Sequence, residues 1–162
     1  GPLLSTMRLS GQLAMVQLDR PVLGPKRILI VGCSELGAAV AATLADQGHT
    51  VQILDVEPTA FDRLPQAARV QEQLIVPLVG DGTTQEDLMR ASVSGVDVLM
   101  ALTTSDTTNA LAAQMAKHAF QVEVVVCRVD DPNLQQMYSE LGLIAIGATG
   151  VLAESAVQAA MA

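Results

Sequence analysis

Lys26 to Asp55 reads KRILIVGCSELGAAVAATLADQGHTVQILD, and this stretch decides the fold. Ile28 to Val31 form an apolar run suited to a strand covered on both faces, as in a parallel sheet. The turn Gly32-Cys33-Ser34-Glu35-Leu36-Gly37 follows directly and opens a helix expected over Leu36 to Gln47. Ala38, Ala39, Ala41, Ala42 and Ala45 favour that helix and leave it slim enough to lie close on a sheet. Gly48 stops it, Val51, Ile53 and Leu54 make a second strand, and Asp55 ends that strand about twenty residues beyond the turn, where a dinucleotide fold places the acid that accepts ribose hydroxyls. The whole is a nucleotide-binding β-α-β unit.

A helix N-terminus offers unpaired N–H groups and a partial positive charge, so the turn favours an anion. Gly32 and Gly37 meet two of the three usual glycine requirements, whereas Ser34 occupies the position of the glycine that brings the pyrophosphate nearest the backbone. Its hydroxyl is free either to donate to a phosphate or to cap the helix, the second being the expected role. Glu35 suits the helix dipole and repels a phosphate in the same place.

The rest of the chain repeats the pattern. Glu57-Pro58 to Ala68 reads as a short helix, Leu74 to Val79 as a third strand, and Gly80-Asp81-Gly82-Thr83-Thr84 as a turn before a helix at Gln85 to Arg90. Asp97 to Leu102 is a fourth strand, and Asp106 or Thr107 is expected to cap a helix running to Lys117. That helix's stripe of Ala110, Leu111, Met115 and Ala119 is expected to face inward. Val122 to Cys127 makes a fifth strand, Asp131-Pro132 to Leu141 a helix, Leu143 to Ile146 a sixth strand, and Thr149 to Met161 a final Ala-rich helix. Six strands alternating with helices imply an α/β, Rossmann-like, doubly wound parallel sheet in the order 3-2-1-4-5-6.

Residues 1–25 are irregular: Gly1-Pro2 reads as a cleavage scar, and the stretch to Pro25 as a tail, an extension packed on a partner, or the end of a linker from a membrane segment. Half of the 162 residues are hydrophobic, yet only Phe61, Phe120 and Tyr138 are aromatic, so the core must be aliphatic. A net charge of −8 without a Lys/Arg cluster excludes non-specific nucleic-acid binding. No apolar run approaches the ~20 residues of a membrane helix, which reads as a soluble, cytosolic domain. Cys33 and Cys127 lack ligand spacing and are expected as reduced thiols; His49 and His118 are expected at the surface.

Five ordered blocks, GCSELG, HTVQILDVEP, GDGTTQEDLMRASVSGVDVLMALTTSDTTN, VVVCRVDDP and ELGLIAIGATGVLAESAV, resemble the nucleotide-binding N-terminal half of RCK domains. These are the regulators of potassium conductance of Trk and Ktr uptake systems and of gated potassium channels. The resemblance covers Lys26 to about Ala160, and residues 26–162 are taken as that domain, with the smaller RCK C-terminal half missing because the chain is either cut or a minimal module. It implies a cytoplasmic regulatory subunit held at the inner face of the plasma membrane by a potassium-translocating partner, dimeric and able to build a ring. It also implies a bound NAD(H) or adenine nucleotide, ADP, AMP or ATP.

Where family members usually read G-x-G-R-x-G, Ser34 and Glu35 replace a glycine and a basic residue, which disfavours ATP or leaves the site partly vestigial. The implied ligand set is Gly32, Cys33, Ser34, Glu35, Leu36, Gly37, Asp55, Val56, Asp81, Gly82, Thr103, Asn109 and Arg128. Several of these have simpler readings: Asp81 and Gly82 as a turn, Thr103 and Asn109 as loop or cap residues, and Arg128 as the ion-pair partner of Asp130 or Asp131. The final helix, Gly150 to Ala162, with Val151, Leu152, Ala156, Val157 and Ala160 on one side, is the expected dimer contact. The alternative is a small NAD(P)-binding oxidoreductase domain lacking its substrate domain; without a positioned acid, base or nucleophile in the sequence, no enzymatic activity is expected.

Overall fold

The computed structural model of the chain describes residues 24–66 and 74–162. The readings made for residues 1–23, and for the end of the helix expected to reach Ala68, lie outside them. The described residues form β1 (Arg27–Val31), α1 (Glu35–Asp46), β2 (Thr50–Asp55), a 3-10 helix (Pro58–Arg63), β3 (Ile75–Val79), α2 (Gln85–Arg90), a 3-10 turn (Val93–Gly95) and β4 (Val98–Ala101). They continue with α3 (Asp106–Gln114), which runs on as a π-helical turn (Met115–Ala119), then β5 (Val124–Arg128), α4 (Pro132–Glu140), β6 (Ile144–Ile146) and α5 (Ala148–Met161). The strands form one parallel sheet in the order β3-β2-β1-β4-β5-β6, which is the 3-2-1-4-5-6 order expected of the sequence.

β1 is the central strand, with Ile30 opposite Ile53 of β2 on one side and Met100 of β4 on the other. Its side chains alternate between two cores, which is why the run is apolar at successive positions. Ile28 and Ile30 join Ala38, Ala41 and Ala45 of α1 on one face, while Leu29 and Val31 join Ala112, Ala113 and Ala116 of the α3 segment on the other. Small residues on both helices let them approach the sheet closely, and each of the fully buried Leu29, Ile30, Ile53 and Leu99 is worth about 1.5–3 kcal/mol of burial.

Several local readings change. The segment after β2 is a 3-10 helix that stops at Arg63; Leu64 is extended at ψ 148, because a residue before proline, here Pro65, is pushed out of the helical region. α3 is capped by Ser105, whose side chain accepts from Thr108 N, and neither by Asp106 nor by Thr107. Leu111 and Ala119 point outward, and the alanines at 110, 112, 113 and 116 face in. His49 is half-buried, its Nδ1 accepting from Lys26 N.

Among the described residues β3 is an edge strand. Gly80 N donates to Asp55 O, so by alternation the amides of Leu78 and Val76 face β2, and Pro77 falls where an N–H would face the outer rim. At the other end of the fold, no residue of α5 is buried, and Val151, Leu152, Val157 and Met161 are more than half exposed. Among the described residues no helix is long and apolar enough to cross a membrane.

Candidate functional site: a cleft at the head of α1

The strand order reverses between β1 and β4, so the loops that follow these strands part and leave a crevice at their carboxyl ends. The crevice has a volume of about 600 Å³, within the range of small-molecule sites. Its walls are the glycine turn, the end of β2 with the following 3-10 helix, the β3–α2 loop and the β4–α3 loop.

The turn is built by close approach. Gly32 has φ +105, and a Cβ there would meet Thr103 Cγ2 at 2.7 Å and Thr103 N at 2.8 Å, so the turn and the β4–α3 loop touch only because residue 32 lacks a side chain. A Cβ on Gly37 would collide with the carbonyl oxygen of Gly32, and one on Gly82 would collide with Val31. Ser34 is the N-cap of α1: its Oγ accepts from Gly37 N at 3.0 Å and donates to Leu102 O at 2.6 Å. A hydroxyl has one proton, so this bond leaves none for a phosphate. The N–H groups of Ser34, Glu35 and Leu36 are without partners among the described residues, as the first amides of a helix must be.

Asp55 closes the turn from the β2 side. Its Oδ2 accepts from Cys33 N at 2.8 Å and its Oδ1 from Glu57 N at 2.9 Å. Each oxygen keeps a second lone pair, so the carboxylate is fixed in place and still able to accept a hydroxyl. Burial pushes the Cys33 thiol up to about 11, the Asp55 carboxylate adds to the rise, and Arg63 opposes it. Both cysteines are free and buried, and Cys127 is raised to about 11 by burial and then by Asp106. At neutral pH both are packed thiols and not nucleophiles.

Of the sequence-derived ligand set, Gly32, Cys33, Ser34, Asp55, Val56, Asp81, Gly82 and Thr103 line the cleft. Glu35, Leu36, Gly37, Asn109 and Arg128 do not. Gly37 acts by letting α1 pack against the turn. Asn109 is fully buried and its amide is saturated: Oδ1 accepts from Thr103 N at 2.8 Å and Thr103 Oγ1 at 2.6 Å, while Nδ2 donates to Thr103 O at 2.9 Å and Arg128 O at 3.0 Å. It shapes the wall of the cleft from behind. Arg128 turns away to pair with Asp130 at 3.2 Å.

Asp130 ties that region to α5, because its Oδ1 accepts from Ala148 N, the first residue of the helix, at 3.0 Å. The Ala148 N–H and then Arg128 hold its carboxyl below the usual 3.8. A folded-state pKa below the unfolded one stabilises the fold above the unfolded value, and the contribution disappears as pH falls through the folded value. The contribution of Asp130 to stability is therefore expected to vanish under acid below about pH 4. Asp130→Asn should flatten this part of the acid limb in a urea titration series.

Sequence reasoning missed Arg63. It lines the cleft, and its Nη1 donates to Cys33 O at 3.0 Å. The two residues are 30 positions apart, and the available signal was the scarcity of cations near the turn. Thr59, Thr83, Thr104, Ser105 and Thr108 add hydroxyls to the lining.

A parallel sheet in this order, with a glycine turn and an acid meeting at its point of reversal, defines the Rossmann class of nucleotide-binding folds. Comparison with known proteins narrows the class. Residues 28–148 match the model of the TrkA-N domain, and the chain belongs to that family. It is 34% identical over 116 residues to the Trk system potassium uptake protein TrkA of Streptomyces coelicolor, a match covering 72% of this chain and 50% of that protein. The chain thus spans about half the length of this relative. Among solved structures it shares its fold with the Shewanella denitrificans Kef C-terminal domain in AMP-bound form, at TM-score 0.62 and 22% identity over 78% of this chain and 74% of that one. It shares it also with the GsuK channel bound to NAD, at TM-score 0.58 and 19% identity over 81% of this chain and 23% of that one.

Proposed function

We propose that this domain is a nucleotide-sensing, non-enzymatic regulator of a potassium transporter or channel of the Trk/Ktr type, binding NAD(H) or an adenine nucleotide. The observation that carries the reading is the cleft: the glycine turn with the unpaired amide of Ser34, the fixed Asp55 carboxylate, and the loops at Asp81-Gly82 and Thr103 converge on one volume of about 600 Å³. The phosphates would meet the turn at Gly32 to Ser34, where the Ser34 amide is unpaired, and the ribose would meet Asp55. Membership of the TrkA-N family supports the regulatory reading, and the AMP and NAD held by the two structural neighbours support the ligand class. Among the described residues three carboxylates, Asp55, Glu57 and Asp81, line the cleft against one guanidinium, so ligands of low charge are favoured over ATP.

The domain would work in the cytoplasm at the inner face of the plasma membrane, joined to its pore-forming partner and paired with a second copy through α5. The exposed Val151, Leu152 and Val157 supply the apolar face for that pairing. A nucleotide with unequal affinity for two arrangements of the pair shifts the population between them, and this shift is what reaches the pore.

Titration calorimetry with NAD, AMP, ADP and ATP tests the ligand. Saturable binding with ATP weakest is the expected result, and ATP tightest would overturn the preference. Light scattering should give a dimer that Leu152→Glu converts to a monomer. Turnover of NADH with a panel of keto acids would favour the oxidoreductase reading instead.

A further inference from the structure

We infer that Arg63 is the phosphate-recognising residue of this cleft and supplies the positive charge that Glu35 withholds from the glycine turn. The inference rests on the nucleotide-binding reading above and goes beyond it by naming the residue that sets which ligands are held.

Among the described residues, Arg63 is the only Lys or Arg that lines the cleft. Its situation differs from that of the other arginines whose guanidinium contacts are known. Arg90 is spent on Asp87 and Val79 O, and Arg128 on Asp130. The Arg63 guanidinium meets no carboxylate within ion-pair distance among the described residues, although Asp55, Glu57 and Asp81 line the same cleft. Asp55 is held on the turn by Cys33 N and Glu57 N, and its carboxylate does not come within ion-pair distance of Arg63.

The bond from Nη1 to Cys33 O fixes the side chain over the turn but uses one of five N–H donors. The remaining donors form a planar fork suited to phosphate oxygens. The sequence places a carboxylate, Glu35, in the first turn of α1, so the cation that accompanies the amides has to arrive from another element. The short 3-10 helix delivers it: the helix ends at Arg63, Leu64 before Pro65 is extended, and the guanidinium reaches Cys33 O of the turn.

The test is calorimetric titration of the chain and of its Arg63→Gln and Arg63→Lys variants with adenosine, 5′-AMP and 2′-AMP. In the unaltered chain at least one of the two phosphates should raise affinity over adenosine. Arg63→Gln should cut that affinity by about tenfold or more, the scale of a charge-assisted hydrogen bond, and leave adenosine binding unchanged. Arg63→Lys should recover part of the loss, and the isomer that responds tells which ribose position faces the guanidinium. If Arg63→Gln weakens adenosine and both phosphates by the same factor, the residue only positions the turn through Cys33 and the inference fails. An unchanged phosphate advantage overturns it as well. If the unaltered chain binds none of the three, this inference fails, and if it binds none of NAD, ADP and ATP either, the proposed function fails as well.

Discussion

Gly37→Ala is expected to destabilise the domain and abolish nucleotide binding, although alanine is the better helix former. Helix propensity alone predicts a gain of up to about 1 kcal/mol from this exchange. Packing predicts the opposite sign, because the new methyl collides with the Gly32 carbonyl oxygen and comes within 3.1 Å of the Gly32 carbonyl carbon. Those atoms are backbone and cannot rotate aside as a side-chain end could. Either α1 lifts from the turn or the turn opens, and each movement strains the Ser34–Leu102 and Asp55–Cys33 bonds. A net loss of about 2–3 kcal/mol is expected from forced overpacking, lowering the melting temperature by about 5–10 °C. Calorimetric melting decides between the two signs, and a higher melting temperature would show that the turn is looser than its geometry implies.

Asn109→Ala is expected to cost about 3 kcal/mol, because it orphans Thr103 N–H and two carbonyls at a fully buried point, each such group costing about 1–3 kcal/mol. Asn109→Asp keeps the shape and is the sharper test. It replaces the donating NH2 with an oxygen facing Thr103 O and Arg128 O, which the amide nitrogen meets at 2.9 and 3.0 Å. Burial and the two carbonyls favour the protonated acid, so its folded-state pKa lies above the unfolded one. The penalty of Asn109→Asp is then complete above the folded value and fades as pH falls toward the unfolded value. Urea unfolding at pH 8 and pH 5 should show the deficit of the Asp variant shrinking in acid while that of the Ala variant stays level. Equal deficits at both pH values would mean that water reaches the site.

The β1-α1-β2 unit was readable because each of its signals is local. A strand buried on both faces, a serine cap and a glycine stop placed α1 within one residue at each end. The helix expected after β2 shows a missed local signal: Pro65 was present in the sequence, and its effect on Leu64 limits that element to a 3-10 helix. In α3 the larger residues misled, since Leu111 faces solvent while small alanines take the sheet contact. The cleft was legible where it is made by chain neighbours, as at Gly32 to Ser34, or by strand ends, as at Asp55. The role of Asn109 depends on four bonds that reach the β4–α3 loop and the end of β5, and that of Arg63 on a carbonyl 30 residues away, which no spacing rule encodes.

Pro77 sets a limit on how copies of this chain can come together. A foreign strand laid along β3 would find an imino ring at the middle of the ladder it needs, and at the opposite border β6 offers a template of three residues. Among the described residues, growth of the sheet from chain to chain is therefore blocked at one border and brief at the other. A pairing of copies, as proposed above, would then fall to helices, whose contacts can slide and tilt where a ladder would lock.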